Sequence, residues 1–147
     1  MKRHVGAYAI DCHLALVNRK PIRRPIPTKA RAILERVMEN HMESSDDVLF
    51  PGHELNSPIT ISGANRYIRR IRDNLPLESW RTHDFRRSLS TGVSELGVMP
   101  HVVEKMLGHE LGGVLAVYNK HDWLDDQREA YELYADKLTD LLDSSDR

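Results

Sequence analysis

Residues 82–109, THDFRRSLSTGVSELGVMPHVVEKMLGH, contain the pattern that decides the fold. A helix is predicted over residues 82–96, and Gly97 suits the left-handed backbone position that ends many helices. Pro100 can occupy the first turn of a second helix, which Gly108 ends. The stretch therefore predicts two consecutive helices joined by a glycine turn.

The segments outside this stretch predict further helices and one small β element. Residues 8–27 have no single apolar period, and their prolines exclude a long helix, so a β-hairpin with its turn near residues 18–20 is predicted. Thr28 is predicted to cap the helix that follows it. Additional helices are predicted over residues 62–72, 113–119 and 122–142.

These predictions amount to a mainly α fold with a small N-terminal β-hairpin or sheet, that is, an α+β fold. The length of 147 residues is typical of one domain that buries a core. We expect a single domain over residues 1–147, with a β element at 8–27, a helical part at 28–142 and a tail at 143–147.

The formal net charge of −1 conceals an uneven distribution of charge. Residues 1–36 contain nine basic and two acidic side chains, whereas residues 121–147 contain three basic and nine acidic ones. Such asymmetry is typical of a protein that meets an anionic partner with one part of its surface, although an uneven solvated surface explains it equally well.

Cysteine content and hydropathy restrict the class of protein. Cys12 has no second cysteine with which to form an intrachain disulfide. The sequence has no apolar run of membrane-spanning length and no signal-peptide pattern at its start. We therefore expect a cytoplasmic protein that is not in a membrane.

His83 and Arg86 are the first candidates for chemistry. They lie three residues apart at the start of a predicted helix, so their side chains share one face. A guanidinium fork matches phosphate oxygens, and imidazole can donate a hydrogen bond or a proton near neutral pH. The pair suits a phosphate, although a capping histidine beside a surface arginine would show the same short pattern.

His109 and Tyr118 extend this pattern. His109 follows the helix-ending Gly108 and lies nine residues before Tyr118. A phenol can act as a nucleophile toward phosphorus where cationic donors stabilise the transition state. Each residue alone is ordinary, and their order after His83 and Arg86 is what indicates phosphoryl transfer.

The run from Thr82 to Ser88, the Leu107-Gly108-His109 triplet and Val117-Tyr118-Asn119 together resemble the catalytic domain of tyrosine recombinases, specifically phage and prophage integrases. The resemblance covers roughly residues 19–142. It implies a tyrosine recombinase catalytic-domain-like fold and site-specific DNA recombination or integration through a 3′-phosphotyrosyl intermediate.

The resemblance also assigns roles to individual residues. It implies that Tyr118 attacks the phosphodiester, that Arg86 and His109 hold its non-bridging oxygens, and that His83 assists proton transfer. The general acid of the family is a lysine on the β-hairpin, and Lys20, seven residues before Pro27, is our candidate. No metal or other cofactor is expected, because cationic side chains supply the charge.

Double-stranded DNA is the expected partner, together with other protomers in a tetramer on DNA. The basic residues that we expect to contact DNA are Arg23, Arg24, Arg66, Arg69, Arg70 and Arg87. The last predicted helix either packs its apolar stripe on its own domain or docks on a neighbouring protomer, and the sequence favours neither.

One feature of the family is missing from this sequence. The family has a further catalytic arginine upstream of the hairpin, and nothing in residues 1–18 fits its context. Loss of one charged donor in the transition state typically lowers the rate by about 10²- to 10³-fold. We therefore expect that this chain is part of a longer integrase or a gene remnant, with weak or no activity alone.

Two other classes of function compete with this interpretation. Residues 87–107 have a helix, a glycine turn and a helix, as in a helix-turn-helix DNA-binding module without cleavage chemistry. A metal site could instead be assembled from His83, His109, His121 and Cys12, but their spacing matches no compact ligand motif.

Overall fold

The computed structural model describes residues 9–12, 22–40, 48–54, 57–109 and 121–145. The described residues fall into two compact units. One unit contains residues 32–85 and the other contains residues 9–31 and 86–145, in each case as far as they are described. We call the first the α2 unit, after the helix α2 (Ile61–Asp73) that it contains, and the second the core unit.

Two short strands form an antiparallel pair in the core unit. Strand β1 (Ala9–Cys12) pairs with β2 (Ile22–Pro25), so that Ala9 lies opposite Pro25 and Cys12 opposite Ile22. Both strands lie within the segment expected to be extended, whereas the turn expected near residues 18–20 is outside the described residues.

Helices make up most of the described chain, which confirms the prediction of a mainly helical protein. Their bounds are α1 (Thr28–Asn40), α2 (Ile61–Asp73), α3 (Thr82–Glu95), α4 (Pro100–Met106) and α5 (Leu124–Ser145). The helix predicted over residues 113–119 lies outside the described residues.

The hydrophobic core of the core unit lies where α3, α4 and α5 meet. Its buried side chains are Val93, Val102, Val103, Met106 and Ala130. Two tyrosines of α5, Tyr131 and Tyr134, pack against this cluster. Full burial of a valine or methionine side chain stabilises the folded state by about 1.5–3 kcal/mol relative to leaving it exposed.

Gly97 ends α3 as the sequence predicts, with a φ of 85°. The Gly97 N–H donates to the Ser94 carbonyl at 3.0 Å and the Val98 N–H to the Val93 carbonyl at 3.1 Å, which together form a Schellman motif. Met99 then caps α4, and Pro100 occupies its first turn. This turn places α4 directly after α3 in the core unit.

Thr28 is the first residue of α1 and does not cap it in the predicted way. Its N–H and its hydroxyl both donate to Oε1 of Glu132, at 2.8 and 2.9 Å. The cap prediction was wrong because Thr28 is already a helical residue, and its hydroxyl donates to a carboxylate of α5. This contact joins the start of α1 to the middle of α5.

Helix α5 begins later than the predicted position of residue 122. Trp123 has a φ of 53°, which is outside the helical region. Its N–H donates to Nδ1 of His121 at 2.9 Å, and its carbonyl accepts from the Gln127 N–H at 2.8 Å. The left-handed backbone at Trp123 therefore sets the start of α5 at Leu124.

The α2 unit is built around a helix without buried residues. Thr60 caps α2 by accepting a hydrogen bond from the Gly63 N–H at 3.0 Å. Two of its large side chains, Tyr67 and Ile71, are 62% and 55% exposed. A groove of about 670 Å³ lies between the start of α2 and the loop before it, and Arg66, Tyr67 and Arg70 line it.

Candidate functional site

Arg86 is held by two acceptors at the end of α4. Its Nη2 donates to the Leu107 carbonyl at 2.6 Å and lies 2.6 Å from Nε2 of His109. The last carbonyls of a helix have no partner within the helix, so a guanidinium satisfies one of them and meets the negative end of the helix dipole. Both of these contacts, which are the hydrogen bonds of Arg86 to other described residues, are made by Nη2.

His109 lies between Arg86 and a carboxylate. Its Nδ1 is 2.6 Å from Oε2 of Glu104, on the opposite side of the ring from the contact with Arg86. The His109 and Glu104 side chains are 49% and 46% exposed. A ligand could therefore reach this histidine from solvent.

The backbone at Gly108 explains why Glu104 and His109 meet. Gly108 has a φ of 74°, its N–H donates to the Lys105 carbonyl, and the His109 N–H donates to the Glu104 carbonyl, both at 2.9 Å. These bonds form a second Schellman motif, which turns the chain back over the last turn of α4. The backbone and the side chain of His109 are thus both bonded to Glu104.

A partly buried phenol lies beside Arg86. The Tyr131 hydroxyl donates to the Met106 carbonyl at 3.2 Å. Burial raises the pKa of Tyr131, and the positive charges of Arg24 and Arg86 oppose this effect. Nε of Arg24 is itself buried without a hydrogen-bond partner among the described residues. Two guanidinium groups therefore lie close enough to Tyr131 to favour the ionised form of its hydroxyl.

The structure places only some of the predicted catalytic residues. It brings Arg86 and His109 into contact. His83 lies three residues before Arg86 on α3 and is exposed. Tyr118 and Lys20 lie outside the described residues, so their roles remain predictions.

The predicted DNA-binding arginines fall in different parts of the chain. Arg87 is exposed on α3, Arg24 is half-buried on β2, and Arg23 pairs with Asp11 in the strand register. The other three, Arg66, Arg69 and Arg70, are exposed on α2. Their contact with DNA stays a prediction.

Within the described ranges, no group of three or more metal-binding side chains comes together. No helix among these residues is both long and apolar enough to cross a membrane.

Sequence reasoning missed Glu104 and Tyr131. Glu104 lies five residues before His109, a spacing that does not place two side chains on one helix face. The glycine at position 108 was the available signal, because a Schellman motif bonds the residue after the glycine to the fourth residue before it. Tyr131 gave no signal, because a tyrosine in an amphipathic stripe is an ordinary core residue.

Comparison with known proteins places these residues in context. The model of the phage integrase family matches residues 11–123. The prophage integrase IntZ of Escherichia coli (strain K12) is 30% identical over 96 residues, which are 64% of this chain. The match spans 23% of the length of that protein. No solved structure matches the chain.

Proposed function

Because this chain belongs to the phage integrase family, as the match over residues 11–123 shows, we propose that it takes part in site-specific DNA recombination by breaking and rejoining a DNA strand. The observation that carries the proposal is the 2.6 Å contact between Arg86 and His109. Side chains that lie side by side can reach the two non-bridging oxygens of one phosphodiester, to which a guanidinium and a protonated imidazole nitrogen both donate. His109 is exposed and Arg86 is half-buried.

In the proposed reaction, the hydroxyl oxygen of Tyr118 forms a bond to the scissile phosphorus. The bond from phosphorus to the 5′-oxygen breaks, and that oxygen takes a proton from Lys20. His83 assists removal of the proton from the Tyr118 hydroxyl. Arg86 and His109 stabilise the negative charge that develops on the phosphorane oxygens. The product is a 3′-phosphotyrosyl bond, which a 5′-hydroxyl of another strand can attack in the reverse sense.

The proposal needs no metal, because guanidinium and imidazole groups supply the positive charge that a divalent ion supplies in other phosphoryl-transfer sites. It includes double-stranded DNA as the partner and a tetramer of protomers as the assembly. We also propose that this chain alone cleaves weakly, because residues 1–18 contain no arginine in the context of the family's further catalytic arginine, and loss of one charged donor slows such reactions.

The test is trapping of a covalent complex on a nicked suicide DNA duplex. We expect a low yield of protein–DNA adduct from the chain as given, and none from Tyr118→Phe, because the attacking hydroxyl is absent. Tyr67→Phe is a matched control, since Tyr67 is an exposed tyrosine of the α2 unit. An equal adduct yield from Tyr118→Phe would exclude the proposed nucleophile, and a high yield from the wild type would exclude weak cleavage by this chain alone.

A DNA-binding module without cleavage chemistry is the second candidate, and the exposed arginines of α2 favour it. Binding to phosphates by such a basic helix weakens as salt displaces it. The same experiment separates the two functions. Salt-sensitive binding with no adduct under any condition supports the binding module, whereas an adduct that depends on Tyr118 supports the recombinase.

A further inference from the structure

Arg86 and His109 touch through two nitrogen atoms, one of which must accept a hydrogen bond. Nη2 of Arg86 lies 2.6 Å from Nε2 of His109. A guanidinium only donates, so this contact requires a lone pair on Nε2. A histidine that binds a phosphate oxygen instead needs a hydrogen on the same nitrogen. The contact with Arg86 and the binding of a phosphate by Nε2 therefore exclude each other, and phosphate binding must bring a hydrogen to Nε2.

Glu104 prevents the ring from supplying this hydrogen by moving its own from Nδ1. Nδ1 of His109 lies 2.6 Å from Oε2 of Glu104, and an ionised carboxylate only accepts hydrogen bonds. A neutral ring with its hydrogen on Nε2 would turn a lone pair of Nδ1 toward that oxygen. The Schellman motif at Gly108 keeps the two residues together, because the His109 N–H donates to the Glu104 carbonyl at 2.9 Å. The imidazolium, with a hydrogen on each nitrogen, satisfies both Glu104 and a phosphate.

The charges around the ring favour the gain of a proton when a phosphate arrives. With a neutral ring, the charges of Arg86 and Glu104 cancel, so a phosphodiester would leave the group with one negative charge. An imidazolium between the carboxylate and the phosphate restores neutrality, since an opposite charge close by stabilises the charged form of a titratable group. The His109 and Glu104 side chains are 49% and 46% exposed, so the proton can come from solvent.

We propose that this site takes up one proton when it binds a phosphodiester, and that the proton goes to Nε2 of His109. The imidazolium then donates to Glu104 and to one non-bridging oxygen. Arg86 exchanges His109 for the other non-bridging oxygen and keeps its bond to the Leu107 carbonyl. That the ligand is a phosphodiester of DNA rests on the proposed function. Binding at the scissile phosphate weakens as the pH rises, because each complex needs a proton from solution.

The charged and titratable groups at this helix end come from four elements. They are Glu104 and Lys105 of α4, His83, Arg86 and Arg87 of α3, Tyr131 of α5 and Arg24 of β2. Of these side-chain types, histidine is the one that ordinarily titrates between about pH 6 and 8.5. Burial raises the pKa of Tyr131, which keeps its hydroxyl neutral in this range. His83 is therefore the group that an experiment must distinguish from His109.

Calorimetry measures the number of protons taken up. Tyr118→Phe, which cannot form an adduct, is titrated with a DNA duplex in buffers of different ionisation enthalpy, at about pH 7.5, one unit above the usual imidazole pKa. We expect it to take up about one proton more than the double variant Tyr118→Phe, His109→Asn, whose amide donates without titrating. From about pH 7.5 to 8.5, its affinity for DNA should fall by up to about tenfold more than that of the double variant.

His101→Asn in the same Tyr118→Phe background is the matched control. His101 is another histidine of α4, and its ring centre lies 4.5 Å from that of Trp123. This variant should take up as many protons as Tyr118→Phe alone. Equal uptake with and without His109 would overturn the proposal.

Nitrogen NMR identifies the atom that gains the proton and needs no substitution within the site. Tyr118→Phe is labelled with ¹⁵N-histidine, and the His109 signals are identified by their loss in His109→Asn, which separates them from those of His83. At about pH 7.5, we expect Nε2 to be unprotonated before DNA is added and both ring nitrogens to be protonated afterwards. An Nε2 that is already protonated without DNA, or that stays unprotonated in the complex, would contradict the proposal.

The trapping of an adduct on suicide DNA tests the proposed function separately. An adduct that depends on Tyr118, without uptake that depends on His109, would support cleavage and refute the proton uptake. Uptake that depends on His109, without any adduct, would support the phosphate site and refute cleavage by this chain.

Discussion

At the residue scale, the site depends on hydrogen bonds that the carbonyls at the end of α4 accept. The Met106 carbonyl accepts from Tyr131, and the Leu107 carbonyl accepts from Arg86. Carbonyls at the end of a helix lack partners within it, and buried ones must find other donors. The helix end that places His109 thereby also anchors the guanidinium beside it.

Tyr131→Phe should destabilise the protein by about 1 kcal/mol at neutral pH, because it removes the hydrogen bond to the Met106 carbonyl. The wild type should lose this advantage as the pH rises above about 10, the usual pKa of tyrosine. The reason is that burial raises the Tyr131 pKa in the folded state, so that only the unfolded chain is ionised at first.

Urea unfolding of both proteins at neutral and alkaline pH measures this difference. The comparison cancels the titration of lysines, which is common to the two chains. A gap between the two unfolding free energies that stays constant or widens above pH 10 would contradict the assigned direction of the pKa shift.

At the element scale, two contacts join α1 to α5 one helical turn apart. Glu132 accepts two hydrogen bonds from Thr28, and Asp136 forms an ion pair with Lys29 at 2.8 Å. The side chains of Lys29 and Asp136 are 43% and 63% exposed. The first contact binds a helix N-terminal N–H as well as a side chain, whereas the second joins two solvated charges.

We expect Glu132→Ala to lower the free energy of unfolding by about 1.5 kcal/mol, the lower range for hydrogen bonds to a charged group. Asp136→Ala, four residues later on the same helix, should lower it by less than about 0.5 kcal/mol, because exposed ion pairs contribute little. Chemical denaturation of the two variants provides the measurement. Equal losses would show that the double hydrogen bond at Thr28 contributes no more than a surface charge pair.

The helix pattern of the core unit was predictable because glycine and proline act locally. Gly97, Pro100 and Gly108 predict where α3 ends, where α4 begins and where it ends, and the structure agrees at each position. The contacts of Thr28 and Glu104 were not predictable, because they depend on residues distant in sequence or on a reversal of the chain. The contact of Arg86 with His109 was expected only from the family resemblance.

At the scale of the whole molecule, α5 contributes to the core at its start and leaves apolar surface at its end. Ala130 is buried in the core, whereas Leu141 and Leu142 are 54% and 68% exposed. Removal of the whole helix would therefore destroy the core unit. Docking of α5 on a neighbouring protomer would therefore involve its exposed end, at Leu141 and Leu142.

The double variant Leu141→Ser, Leu142→Ser should keep the thermal stability of the wild type within a few degrees, because both side chains are already exposed. If the end of α5 docks on a neighbouring protomer in the proposed tetramer, the variant should form smaller complexes on DNA. Analytical ultracentrifugation with a DNA duplex measures this. Complexes of unchanged size would assign the leucines to ordinary surface.

The position of Trp123 makes the protein a reporter of its own state. The sequence has two tryptophans, and Trp123 lies with its ring centre 4.5 Å from that of His101 and 5.0 Å from that of His121. Trp80 is in the other unit, beside Phe85. In Trp80→Phe, indole fluorescence would come from a single fluorophore between two imidazoles. Its intensity would follow any displacement of those rings when DNA binds, without an attached dye.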